Sequence, residues 1–153
     1  MASKKGEKKV VLASGVFDLL HLGHVKFLEE AKKAGGKDVE LIVIIARDST
    51  VEKNKGRRPI MSENQRRALV ESLKVVDEAV LGFEQFDLGD VIELVKPDVI
   101  ALGYDQVDME KGVKAYVKTH GLSIKVIRIG KFEEDELDSS SKIRQKILEK
   151  LSR

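Results

Sequence analysis

The sequence contains no cysteine and no tryptophan, only two prolines, and aromatic residues amount to 5% of the chain. Each shortage excludes something. Without cysteine there is no disulfide, zinc–thiolate site, iron–sulfur cluster or cysteine nucleophile, which agrees with residence in a reducing cytoplasm. No stretch approaches about 18 consecutive apolar residues, so no membrane-spanning helix and no membrane partner are predicted. The basic start, Met1 to Lys9, is followed only by the short apolar run Val10 to Ala13, too short for the core of a signal peptide. Charge of one sign is also lacking: 28 Lys and Arg face 26 Asp and Glu, a net charge of +2. That balance argues against a general nucleic-acid binder, which is usually strongly basic.

With Pro59 and Pro97 as its only prolines, and no repeat or low-complexity linker, the chain reads as one unit: a basic N-terminal arm at 1–9 and a single domain over 10–153. Its 153 residues suffice for one core, and 42% apolar residues are too many for a disordered chain. Val10 to Ala13, the β-branched run Val39 to Ala46, Val75 to Leu81, Val99 to Leu102 and Ile124 to Ile129 read as buried strands. Between them lie helical patterns. Leu22, Val25, Leu28 and Ala31 recur at helical spacing and stop at Gly35-Gly36. Ser62 can cap a helix from Glu63 to Leu73, with Leu69 and Leu73 facing inward. Leu88 to Val95, Met109 to Thr119 and Ser140 to Leu151 complete the set. The polar, basic residues 48–61 read as a loop. Strands alternating with helices imply a doubly wound α/β domain, with a mainly parallel five-stranded sheet and helices on both faces. Ligands in such folds bind beyond the carboxyl ends of the strands.

The loop after the first strand reads Ser14-Gly15-Val16-Phe17-Asp18-Leu19-Leu20-His21-Leu22-Gly23-His24. Gly15 permits a sharp turn or close approach of backbone to a ligand, and Gly23 removes a side chain where a large anion needs room. His21 and His24, three apart, can share one side of a first helical turn. A helix start offers free N–H groups and a positive dipole end, and two imidazoles there can donate to phosphoryl oxygens. A lone His-x-x-His is most often incidental, but two of the chain's three histidines fall in this one loop. Zinc is a third option, without cysteine or a clear third ligand nearby. His120, before Gly121, reads as a surface or capping residue. At the other end, Ser139-Ser140-Ser141-Lys142-Ile143-Arg144 offers hydroxyls and helix-start amides to an anion; a simple cap needs only one serine.

The first loop resembles the Gly-x-Phe-Asp-x-x-His-x-Gly-His signature of the cytidylyltransferase-like nucleotidyltransferases, a Rossmann-like superfamily. Gly15, Phe17, Asp18, His21, Gly23 and His24 all match. The serine run resembles the superfamily's second motif, with Asp138 where an isoleucine is usual. Ile44 to Asp48, Lys55 to Ile60 and Gly103-Tyr104-Asp105-Gln106 are similar to the archaeal FAD synthases. Glycerol-3-phosphate cytidylyltransferases and heptose-phosphate adenylyltransferases share the hallmarks.

The resemblance implies transfer of a nucleotidyl group from ATP, or from CTP, onto the phosphate of FMN or another small acceptor, releasing pyrophosphate. His21, His24 and Lys53 or Lys55 would be catalytic. Gly15, Val16, Phe17, Asp18, Gly23, Arg66, Gly103, Asp105, Arg128, Ser139, Ser140 and Ser141 would bind nucleotide. Mg2+ would be held mainly through phosphates and not by side chains, and the protein would be a homodimer. Tyr104, Phe132 and Phe83 are the aromatic candidates for stacking on a flavin. A nucleotide-sensing module on the same fold is the non-enzymatic alternative, against which the two intact histidines argue. The acidic segment Glu133 to Asp138 is expected to face solvent and not substrate.

Overall fold

The structure, a computed structural model, describes residues 8–85, 87–132 and 139–152. The arm at 1–7 and the acidic segment 133–138, Asp138 included, lie outside the described residues. In chain order the elements are β1 (Lys9–Gly15), α1 (Leu22–Ala34), β2 (Val39–Ile45), α2 (Asp48–Lys55), α3 (Glu63–Glu71), β3 (Glu78–Leu81), α4 (Leu88–Val95), β4 (Val99–Leu102), α5 (Val107–Thr119), β5 (Lys125–Arg128) and α6 (Ser140–Leu151).

The five strands lie in the order β3-β2-β1-β4-β5, and every neighbouring pair is parallel. Successive strand residues point to opposite faces, so each strand feeds two cores. Val11, Ala13, Leu41, Val43, Val99 and Ala101 pack with Leu28 and Ala31 of α1 and Val70 of α3. Leu12, Ile44, Ile100 and Leu102 pack on the other face with Val91 and Ile92 of α4 and Val113 of α5. The near-continuous apolar strands are the expected consequence of being covered twice. From β1 the chain builds outward to β2 and β3, then returns to add β4 and β5 on the opposite side. The winding therefore reverses between β1 and β4, and the carboxyl ends of those strands frame the crevice where such folds bind ligands.

Three expectations are corrected. Residues 48–55 are not loop but the helix α2. Its N-terminus is held by α3: the Glu63 carboxylate accepts the Asp48 N–H at 2.9 Å, and the Asp48 carboxylate accepts the Glu63 N–H at 3.3 Å. Gly56, at φ 74, closes α2 in the left-handed conformation. The helix that Ser62 caps ends at Glu71 and buries Arg66 and Val70, not Leu69; Leu73 packs on the core just past its end. The third strand starts at Glu78, because Asp77 bonds to Leu41 through its carboxylate as well as its backbone N–H.

Candidate active site

The β1–α1 loop is a tight, partly strained path. Phe17 and Leu19 have φ of 56° and 50°, in the left-handed region that costs non-glycine residues energy. Burial of the Phe17 ring, 4% exposed, holds the path in place. That ring occupies the space beside Gly15, where an added Cβ would lie 2.8 Å from it. The packing of the Phe17 ring is thus one reason that position 15 is a glycine. Gly23 lies in the first turn of α1, between the two histidines.

His21 is the N-cap of α1. Its backbone N–H donates to Nδ1 of His24 at 3.2 Å, and the two rings stack with centroids 3.7 Å apart. Phe17 tilts against the His24 ring at 5.3 Å. Burial, reinforced by His21 and opposed by Asp18, lowers the His24 pKa from 6.5 to about 3. An imidazole whose Nδ1 accepts a backbone N–H and which stays neutral carries its proton on Nε2. His24 is therefore a neutral hydrogen-bond donor at the start of a helix, with the dipole behind it.

Asp18 departs from its predicted role. Its carboxylate, 3% exposed, accepts the N–H groups of Ile60 at 2.8 Å and Met61 at 2.9 Å. Arg144 of α6 lies 3.6 Å away, and the Asp18 carbonyl accepts the hydroxyl of Ser140. Asp18 is turned into the protein as a tether. The serines divide their work accordingly. Ser139 caps α6 by accepting the Lys142 N–H at 3.2 Å. Ser140 has already donated its one hydroxyl proton. Ser141 stands exposed on the first turn.

Arg66 is a second correction. It has no exposed surface, and it donates to the carbonyls of Met61, Val16 and Ala46 and, at 2.7 Å, to the Asp48 carboxylate. A guanidinium so enclosed knits the ends of β1, β2 and α2 together and is not offered to a nucleotide; Val16 contributes its carbonyl to the same knot. Asp48 and Glu63 were not singled out from sequence. The available signal was an acidic residue in the first turn of each helix, where the dipole favours one.

Lys53 and Lys55 lie exposed towards the C-terminal end of α2. On the other side of the crevice, the turn after β4 is closed by the Gln106 side chain, which accepts the Gly103 N–H at 2.7 Å. Asp105 is exposed there. Tyr104, 46% exposed, has the Lys131 ammonium 5.5 Å from its ring centroid. Arg128 ends β5 and lies 3.9 Å from Glu110. His120 caps α5 and stacks on Tyr116, away from the other histidines. An apolar cavity of about 30 Å³ near Ser14, Leu88 and Met109 is far below the several hundred Å³ typical of ligand pockets. Among the described residues no three His, Asp or Glu side chains converge as a metal site, and no helix is long and apolar enough to cross a membrane.

A family model described as cytidylyltransferase-like matches residues 12–146. The FAD synthase of Thermoplasma volcanium is 50% identical over 139 residues, covering 91% of this chain and 94% of its own. That of Methanobrevibacter smithii is 52% identical over 140 residues, covering 91% and 90%. A crystal structure from Thermoplasma volcanium, titled as a lipopolysaccharide core biosynthesis protein, superposes with a TM-score of 0.73 at 47% identity, over 82% of this chain and 98% of that one. Pantothenate synthetase from Thermus thermophilus shares the fold alone, at 16% identity and a TM-score of 0.64, over 88% of this chain and 60% of that one.

Proposed function

The chain belongs to the cytidylyltransferase-like family, and within it we propose that the protein transfers AMP from ATP to the phosphate of FMN, giving FAD and pyrophosphate. One observation carries the chemistry: the Ser140–Asp18 bond brings the N-terminus of α6 to the loop that leads into the N-terminus of α1. Two helix starts on one loop suit a polyphosphate. The relatives named FAD synthase, about half identical over nine-tenths of the chain, support ATP and FMN as the substrates.

A phosphate oxygen of FMN attacks the α-phosphorus in line. The new P–O bond forms as the bond to the β-phosphate oxygen breaks, and pyrophosphate carries away the electron pair. No side chain is required as nucleophile. The protein's work is positioning and charge stabilisation. Neutral His24 donates one hydrogen bond to the phosphoryl oxygens and brings no charge, so the positive charge comes from cationic side chains, Lys55 or Lys53 among them. His21 shapes the same turn and fixes the His24 tautomer through its N–H. Ser141 and the first-turn amides of α6 would meet the β- and γ-phosphates. Asp105, Gly103 and Arg128 are assigned to the nucleoside side of the crevice. Mg2+ would be held mainly through the phosphates of the nucleotide and not by side chains, and would supply neutralising charge for the pyrophosphate.

Cytoplasmic residence and a homodimer belong to the same proposal. Absence of cysteine supports the first. Ile147, Leu148 and Leu151 of α6, 48%, 59% and 77% exposed, support the second as an uncovered apolar stripe; sedimentation would measure it. The near-neutral charge supports small phosphorylated substrates and no nucleic-acid partner. Crossing ATP and CTP with FMN and glycerol 3-phosphate in a pyrophosphate-release assay tests the central claim. Release is expected with ATP and FMN, with FAD as product. Release only with CTP and glycerol phosphate would overturn the reading in favour of a cytidylyltransferase.

A further inference from the structure

We propose that Asp18 is a positioning residue that locks the histidine turn and helix α6 into one phosphate-binding unit. The inference rests on the nucleotidyltransfer reading above and concerns the triphosphate, whatever the acceptor. A carboxylate that is 3% exposed persists only where several donors replace its water. Those donors come from distant segments: the amides of Ile60 and Met61, and Arg144. The same residue's carbonyl takes the Ser140 hydroxyl, 122 residues along the chain. One residue of the signature loop therefore fixes both the approach to α3 and the first turns of α6.

Asp18 lies three residues before His21, the N-cap of α1. A triphosphate that meets the donors of both helix starts needs their spacing held, since a misplacement of about 1 Å can cost about a hundredfold in rate. Arg144 fits this arrangement. At 3.6 Å its contact with Asp18 is too long for a tight fork, and 23% of its side chain remains exposed. Asp18 thus aims a guanidinium that is still open to an anion. The chemical class of ligand is the leaving pyrophosphate portion of a nucleoside triphosphate.

The test is a double-mutant cycle of Asp18→Asn and Arg144→Met, read by calorimetric binding of a non-hydrolysable ATP analogue and by steady-state kinetics. Asp18→Asn keeps the shape but loses the charge that faces Arg144. It is expected to weaken analogue binding and raise the KM for ATP about tenfold or more, while the KM for FMN moves by less than about threefold. Adding Arg144→Met to Asp18→Asn should change either value by less than about threefold, because the two act as a unit. Analogue binding within about twofold of wild type in Asp18→Asn, or effects that simply multiply, would overturn the proposal. If Asp18→Asn does not fold, Arg144→Met and Ser140→Ala decide: weaker analogue binding with unchanged melting temperature supports the tether, and unchanged binding in both refutes it. Analogue binding needs no acceptor. A wild-type protein that binds the analogue but makes no FAD would therefore fail the FMN reading and leave this one standing or falling on its own numbers.

Discussion

Arg66 and Asp48 form a 2.7 Å ion pair in which the guanidinium has no exposed surface. Around it, the carbonyls of Val16, Ala46 and Met61 accept the remaining bonds. Those carbonyls come from the ends of β1 and β2 and the approach to α3, so a buried charge fastens the roof of the sheet. Arg66→Met removes every one of these bonds and leaves Asp48 without its cation. The expected loss is about 3–5 kcal/mol of folding stability, read by urea denaturation. Arg66→Lys should recover little, because one ammonium cannot span the same acceptors. A loss below about 1 kcal/mol in Arg66→Met would show that the knot is not structural.

Gly15 and Phe17 make a second separable claim. A methyl group at Gly15 would sit 2.8 Å from the Phe17 ring. Gly15→Ala must displace that ring, which rests against His24. We expect a cost of about 1–3 kcal/mol by thermal denaturation, together with reduced turnover. Shortening the ring should relieve the clash, so Gly15→Ala with Phe17→Leu should recover turnover relative to Gly15→Ala alone. No recovery would mean that Gly15 serves the ligand directly.

The pattern of legibility follows from what each residue needs. The run Val39 to Ala46 is readable as a strand because one covered on both faces is apolar along most of its length, here with Glu40 as the exception. The histidine turn was readable because its residue types are rare in this chain and fall together. The resemblance assigns Arg66 and Asp18 to the nucleotide, and the sequence does not show that they are buried: charged side chains seldom are, their partners lie far along the chain, and no local pattern announces them. Helix α2 was invisible for a related reason. Asp48 to Lys55 carries one buried apolar residue, Val51, and so has no periodicity to detect. The exchange of caps between Asp48 and Glu63 and the hold on Asp48 by Arg66 keep it helical, and all of these partners belong to α3.

That α2 is a helix separates two lysines that sequence could not. Residues two apart on a helix point about 200° apart, whereas residues four apart lie within about 40°. Lys55 is four residues from buried Val51 and shares its face; Lys53 points the other way. Lys55→Ala should therefore lower kcat/KM about tenfold or more, and Lys53→Ala should leave it within about twofold. Both side chains are exposed, so neither change should move stability by more than about 0.5 kcal/mol. The reverse ranking would mean that α2 turns its outer face to the substrate.

His24 provides the pH-dependent test. Its pKa falls from 6.5 to about 3 in the folded protein. The unfolded chain therefore binds a proton between those values that the native state does not. Folding stability should rise with pH through this window, be complete above 6.5, and be lost on acidification at about 1.4 kcal/mol per pH unit from this group. His24→Gln, which cannot titrate, should flatten that slope. Nitrogen NMR of the histidine rings should show His24 as the neutral Nε2–H tautomer at pH 6, with Nδ1 unprotonated. In kinetics, kcat should show no loss assignable to His24 protonation between pH 5 and 8, while His24→Ala should lower kcat by about two to three orders of magnitude. A His24 resonance titrating near 6.5 in the native protein would contradict the buried neutral donor, and the ring would then act on phosphate as a cation.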